Sequence, residues 1–126
     1  MKKLIKVKCN VNLPEKFFIE HIDKKIQTFP GELSKLIYFL SSVSPYIKRL
    51  ILSELDWLGS VINKELDEVL SQILISCQNK IHDDTFSQIR IAKRRTILVI
   101  ALADFGKVFS LMEVTNALSV FADKIL

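Results

Sequence analysis

The amino-acid sequence predicts an all-α fold, an irregular bundle of about six or seven helices around one long central helix. Glycine and proline number only three each, too few for the turns that an all-β fold needs every 8–12 residues or so. Apolar residues make up 49% of the chain, which indicates a folded rather than a disordered protein. At 126 residues, residues 1–126 are expected to form a single helical domain.

Turn and cap signals divide the first half of the chain into helices. A first helix is expected to begin at Pro14 and to end at Pro30-Gly31, with a second from about Glu32 to Val43. Ser44-Pro45 predicts a new helix, because serine is a preferred N-cap and proline suits the first helical position. A short fourth element follows, to about residue 62. The second helix should bury Leu33, Leu36, Ile37 and Leu40.

The second half is expected to contain the central helix. A fifth helix should span about residues 65–81, and the capping box Thr85-Phe86-Ser87-Gln88 predicts the start of the longest helix. That helix runs to about Asp104, and its stretch from Ile97 to Ala103 is apolar on every face, which is typical of the middle of a bundle. A second capping box, Ser110 to Glu113, begins the last helix. Its expected buried face consists of Leu111, Val114, Leu118, Phe121, Ala122 and Ile125.

The N-terminus is basic, with Lys2, Lys3, Lys6 and Lys8 and no acid among them. Residues 1–11 are therefore expected to be extended or mobile and solvated, although a basic tail can also contact nucleic acid or a membrane. No apolar run approaches the roughly 20 residues that span a bilayer, and no signal peptide is visible. Two distant cysteines fit a reducing compartment, so the sequence predicts a cytoplasmic protein that does not enter a membrane.

No catalytic, metal-binding or cofactor-binding residue is predicted. The histidines and cysteines show no metal-ligand spacing, and the isolated glycines form no phosphate-binding loop. Two acid-x-acid triplets occur, Glu54-Leu55-Asp56 and Glu65-Leu66-Asp67. On a strand such a triplet could hold magnesium, but both are expected at helix starts, where carboxylates complement the helix dipole.

The candidate interaction residues form a basic stripe on the long helix, which consists of Arg90, Lys93, Arg94 and Arg95. Nucleic-acid binding would need a larger patch that includes aromatic side chains, so nucleic acid is not the expected partner. A solvated helix face, or ion pairs to a neighbouring domain, accounts for the stripe more simply.

Two segments resemble the N-terminal helical region of the glutamine synthetase adenylyltransferase family, also called glutamate–ammonia ligase adenylyltransferase. The first segment is Ser44-Pro45-Tyr46-Ile47, then a leucine-rich turn, then Asp56-Trp57-Leu58. The second consists of Arg90, Lys93-Arg94-Arg95, Ile100-Ala101, Asp104, Glu113-Val114-Thr115, Leu118-Ser119 and Ala122-Asp123. The resemblance covers roughly residues 33–126. Ala103 departs from it, because family members usually carry arginine there, and any ion pair made by that arginine is lost.

The resemblance implies the N-terminal portion of a larger bifunctional enzyme that regulates nitrogen assimilation. One nucleotidyltransferase unit attaches AMP to glutamine synthetase and the other removes it, with magnesium and ATP as the cofactors of the whole enzyme. Implied partners are the downstream nucleotidyltransferase domain, glutamine synthetase and its regulatory signal protein. The family's catalytic signature, a Gly-rich turn followed by Asp-x-Asp, does not occur here, so this chain is expected to be inactive alone. The alternative is a free-standing helical adaptor or regulator that binds protein or nucleic acid through the basic helix.

Overall fold

The computed structural model describes residues 2–9, 26, 28–78 and 85–125. Within these ranges the chain forms six α-helices and no strand, which confirms the all-α prediction. The predicted helix from Pro14 lies mostly outside the described residues, within which Ile26 and Phe29 are buried. The helices are α1 (Gly31–Val43), α2 (Pro45–Ser53), α3 (Leu55–Val61), α4 (Leu66–Gln78), α5 (Thr85–Phe105) and α6 (Leu111–Ile125).

Helix α5 is the centre of the described bundle. It packs against α1, α2, α4 and α6, and Leu98, Val99, Leu102 and Ala103 in its second half are completely buried. A helix surrounded by others needs apolar side chains on every face, so the prediction of a central helix is confirmed. In the described part of the chain no helix is long and apolar enough to cross a membrane.

Two predicted helix starts are confirmed by their hydrogen bonds. The Ser44 side chain accepts from the Ile47 N–H group at 3.2 Å, and Pro45 occupies the first position of α2. At the start of α6, the Ser110 hydroxyl accepts from the Glu113 N–H group at 3.2 Å, while the Glu113 carboxylate accepts from the Ser110 N–H group at 3.0 Å. This reciprocal pair is a complete capping box, which fixes where α6 begins.

The N-terminal segment was expected to be extended or mobile and solvated, but two of its side chains are buried. Residues 2–9, here called the N-terminal strap, contain a short 3-10 turn at Leu4–Lys6, and Leu4 and Val7 are 0% and 2% exposed. These apolar side chains enter the core while Lys6 and Lys8 stay in water. Backbone hydrogen bonds tie the strap to three places: Ile5 N–H to Ile62 C=O (3.0 Å), Leu66 N–H to Lys2 C=O (2.8 Å) and Lys8 N–H to Gly106 C=O (2.9 Å).

Gly106 allows the strap to lie this close to the end of α5. A Cβ atom at this position would come within 2.5 Å of the Val7 Cβ atom and 2.6 Å of the Leu102 carbonyl oxygen. Real Cβ atoms do not approach other atoms so closely, because overlap at this range is strongly repulsive. Glycine is therefore required here for the close approach of two chain segments.

The turn after α5 closes around a lysine in a left-handed conformation. Lys107 has φ 62°, a region where glycine is the usual residue. The Val108 N–H group donates to the Ala103 carbonyl at 2.9 Å, and the Lys107 N–H group donates to the Asp104 carbonyl at 3.1 Å. These two bonds are those of a Schellman motif. The sequence placed the end of this helix at about Asp104, within one residue of the observed end at Phe105, but Lys107 takes the left-handed position where glycine is usual.

Helix α6 turns a different face to the core from the one expected. Val114 is buried and Ala117 and Phe121 are half-buried, but Leu111 and Leu118 are 80% and 47% exposed. The predicted face is therefore wrong for these two leucines. Compared with the prediction, the helix is rotated about its axis. It turns Val114, Ala117 and Phe121 toward the core and leaves Leu111 and Leu118 uncovered.

Candidate interaction surface on helix α5

The structure divides the basic stripe into two parts. Arg90 and Lys93 are exposed, whereas Arg94 and Arg95 are half-buried. These residues occupy successive turns in the first half of α5, ahead of its apolar second half. The two exposed residues are therefore available to a partner, and the other two are partly committed to the fold.

Arg95 is bonded inside the bundle. Its Nε atom donates to the Glu54 Oε1 atom at 2.7 Å, with the Glu54 side chain only 7% exposed. Its guanidinium carbon lies 4.8 Å from the centroid of the Trp57 ring, within the range of a cation–π contact. The sequence grouped Arg95 with outward-facing bases, but the side chain instead holds α5 to the junction of α2 and α3.

Arg94 shows a second departure from a simple solvated face. Its Nε atom is buried, and among the described residues no group accepts a hydrogen bond from it. A buried guanidinium donor without a partner is costly. Arg94 is therefore not a simple solvated side chain, because part of its guanidinium group is buried.

The two segments that carry the family resemblance meet at Arg95. Asp56-Trp57-Leu58 lies in α3 and Lys93-Arg94-Arg95 lies in α5, and the Arg95–Trp57 contact joins them. Leu58, in the same triplet, is completely buried. The side chains of Trp57, Leu58 and Arg95 therefore hold the bundle together. Sequence reasoning missed the roles of Glu54 and Trp57, because no local pattern links residues 41 positions apart.

The two acid-x-acid triplets are used structurally in different ways. Glu54 stands at the N-cap position of α3, as expected of an acid at a helix start, but its side chain makes no capping hydrogen bond and forms the Arg95 ion pair instead. Glu65 precedes α4, and its carboxylate accepts from the Lys2 backbone N–H group at 3.2 Å. Among the residues that the structure describes, no group of three or more His, Cys, Asp or Glu side chains could hold a metal ion.

Comparison with known proteins identifies the family. The family model described as glutamate-ammonia ligase adenylyltransferase matches residues 34–126, which contain nearly all of α1 and the whole of α2 to α6. A relative from Agrobacterium fabrum (strain C58 / ATCC 33970), the bifunctional glutamine synthetase adenylyltransferase/adenylyl-removing enzyme, is 29% identical over 91 residues. That match covers 65% of this chain and 9% of the relative, and no solved structure gives a significant match. The chain belongs to the glutamate–ammonia ligase adenylyltransferase family.

Proposed function

We propose that this chain is the non-catalytic N-terminal helical region of a bifunctional glutamine synthetase adenylyltransferase/adenylyl-removing enzyme, acting in the cytoplasm in the regulation of nitrogen assimilation. The observation that carries the proposal is the family match, which spans the bundle from α1 to α6. Glutamine synthetase and its regulatory signal protein would then be partners of the whole enzyme.

The non-catalytic role is supported by how the chain uses its acidic residues. Transfer or removal of AMP needs carboxylates that hold magnesium beside a phosphate-binding turn, and the sequence contains no Gly-rich turn followed by Asp-x-Asp. Glu54 is neutralised by Arg95, and Glu65 binds the strap backbone. Magnesium and ATP would therefore bind to other parts of the enzyme.

The exposed part of the basic stripe is the proposed docking surface for the nucleotidyltransferase domain. Arg90 and Lys93 face solvent, with Arg94 at their edge. Like charges three or four residues apart destabilise a helix by roughly a few tenths of a kcal/mol per pair, and an anionic partner would remove this cost. An arginine side chain binds a carboxylate or phosphate through two parallel hydrogen bonds, which suits contact with an acidic surface.

A chimera tests both parts of this proposal. Residues 34–126 would replace the matched region of the Agrobacterium relative, and removal of AMP from adenylylated glutamine synthetase would be measured. We expect the chimera to be active. Arg90→Glu with Lys93→Glu should lower its activity about fivefold or more, since each lost exposed ion pair is worth roughly 0.2–1 kcal/mol and charge reversal adds repulsion.

Lys48→Glu with Arg49→Glu is the matched control, because both residues are exposed on α2 and the change in net charge is the same. This control should keep the activity of the unsubstituted chimera. An inactive unsubstituted chimera would contradict the assignment of this region. Equal activity of the two charge-reversed chimeras would contradict docking through α5 and leave the basic stripe as a solvated face.

A further inference from the structure

A groove with an apolar floor lies between α4, α5 and α6. Its volume is about 440 Å³, and the floor consists of Leu70, Leu74, Phe109, Ala117 and Phe121. Asp67 and Ser71 border it from α4, and Glu113 and Asn116 border it from α6. The groove is distinct from the basic stripe, and its two charged lining residues are both acidic.

The groove already binds one cation, which comes from the N-terminal strap. The Lys2 ammonium forms an ion pair with the Glu113 carboxylate and lies 5.9 Å from the centroid of the Phe109 ring. Glu113 and Phe109 both line the groove. An acidic group beside an aromatic ring is therefore an arrangement that holds a basic side chain here.

A second acidic group in the groove, Asp67, has no cationic partner among the described residues. Asp67 is exposed, and among the described residues none makes an ion pair or hydrogen bond with its side chain. Asp67 lies one helical turn before the floor residue Leu70, so a basic group paired with Asp67 would lie next to apolar surface. The unpaired carboxylate gives the groove a charge preference that an apolar groove alone would lack.

An exposed apolar side chain on α6 borders the floor: Val120 lines the groove and is 41% exposed. Uncovered apolar surface bordered by polar groups is typical of a docking site. The combination of an apolar floor, an exposed valine at its edge and an acid without a partner among the described residues complements an amphipathic helix that carries a basic residue.

We propose that this groove binds an amphipathic α-helix whose apolar stripe covers the floor and whose lysine or arginine pairs with Asp67. Helices bind grooves of this kind through apolar residues spaced at i, i+3, i+4 and i+7. Charge complementarity with Asp67 sets which helices bind, and the Lys2–Glu113 contact shows the same chemistry within the chain. This surface is independent of the basic stripe, which would bind groups of opposite charge.

A synthetic amphipathic peptide tests the proposal on the 126-residue chain. The probe is a fluorescein-labelled helical peptide of about 18 residues, long enough to form a stable helix, with leucines in one stripe and a single lysine beside them. We expect saturable binding by fluorescence anisotropy and amide chemical-shift changes at Leu74, Ala117 and Val120. A peptide with glutamate in place of the lysine should bind about tenfold more weakly, a difference of about 1.4 kcal/mol.

Two substitutions at exposed serines locate the binding surface. Ser71→Trp should fill the groove and lower affinity at least tenfold, whereas Ser119→Trp, on α6 but outside the groove lining, should leave it unchanged. Asp67→Lys should lower affinity for the lysine peptide and raise it for the glutamate peptide, which a mere loss of folding would not do. Circular dichroism confirms that each variant keeps its helices.

Three outcomes would overturn the proposal. The first is no binding of the lysine peptide up to about 1 mM, the concentration at which binding is worth only about 4 kcal/mol. The second is equal binding of the two peptides, or shifts confined to Arg90 and Lys93. The third is a dimer of the chain alone that Ser71→Trp dissociates in sedimentation experiments, because a second copy would then occupy the groove.

Discussion

Removal of the Arg95 side-chain charge should destabilise the fold far more than removal of any other charge in the basic stripe. In Arg95→Met an unbranched side chain is retained, but the Glu54 carboxylate loses its partner and the Trp57 ring loses the guanidinium group. Glu54 is only 7% exposed, so its charge would be left in a poorly solvated place. The substitution therefore tests whether α5 is held to the α2–α3 junction by this ion pair.

The expected loss follows from the exposure of the two side chains. Breaking a buried pair costs about 3–5 kcal/mol, and the 31% exposure of Arg95 places this pair at the lower end of that range because water screens it in part. The lost cation–π contact is worth roughly 0.5–1 kcal/mol. The free energy of unfolding should fall by about 3 kcal/mol. With an m-value of about 1.5 kcal/mol/M, the urea midpoint should fall by about 2 M.

Urea melts of three variants followed by circular dichroism check this value. Lys93→Met is the matched control: Lys93 is exposed on the same helix, and its change should stay within about 0.5 kcal/mol. Glu54→Leu combined with Arg95→Met removes both charges and should recover more than half of the loss. Equal midpoints for Arg95→Met and Lys93→Met would refute the reasoning, as would a double variant less stable than Arg95→Met alone.

Three further substitutions test the core, the strap and the turn after α5. Ile100→Ala should lower the free energy of unfolding by about 2–5 kcal/mol in a urea melt, because Ile100 is 6% exposed in the centre of the bundle, and a loss below about 0.5 kcal/mol would show that it is not buried. Gly106→Ala should displace the strap and speed hydrogen exchange of the Ile5 and Lys8 amides. Gly31→Ala is the control and should leave exchange unchanged, because a Cβ atom at Gly31 meets no atom within 4 Å. Protection of these amides in both variants would contradict the requirement for glycine at position 106. Lys107→Gly should raise stability by about 0.5–1 kcal/mol by relieving the left-handed backbone at φ 62°, and a loss of stability in the thermal melt would contradict this.

The sequence was sufficient for features that depend on neighbouring residues. Ser44-Pro45 and the capping box from Ser110 to Glu113 marked helix starts because each cap acts within three residues. The apolar stretch from Ile97 to Ala103 marked the central helix because only a surrounded helix can lack a polar face.

Features that depend on distant residues could not be read from local patterns. Four lysines without an acid among them suggested a solvated tail, yet Leu4 and Val7 enter a core built from helices that follow much later in the chain. Arg95 resembled its basic neighbours on α5, and only the folded chain brings Glu54 to it. Apolar residues occur on more than one face of α6, and α4 and α5 contact only one of these faces. The orientation of α6 is therefore set by packing.

The same limit applies to the candidate surfaces. The basic stripe was visible as a run of four bases, but the division between exposed Arg90 and Lys93 and bonded Arg95 required the structure. The groove had no sequence signature, because Asp67 and Glu113 are more than 40 positions apart in the sequence. The two surfaces have different expected partners: an anionic surface for the basic stripe, and a helix with a basic residue for the groove.

The most direct test of the central claim, that this helical region does not itself perform the family's chemistry, is the release of ADP from adenylylated glutamine synthetase. The purified 126-residue chain would be incubated with adenylylated enzyme, magnesium and phosphate, with the Agrobacterium relative as the positive control. We predict that the relative releases ADP and that this chain releases none above the blank. ADP release that is abolished by a substitution in this chain, such as Glu65→Gln with Asp67→Asn, would contradict the claim.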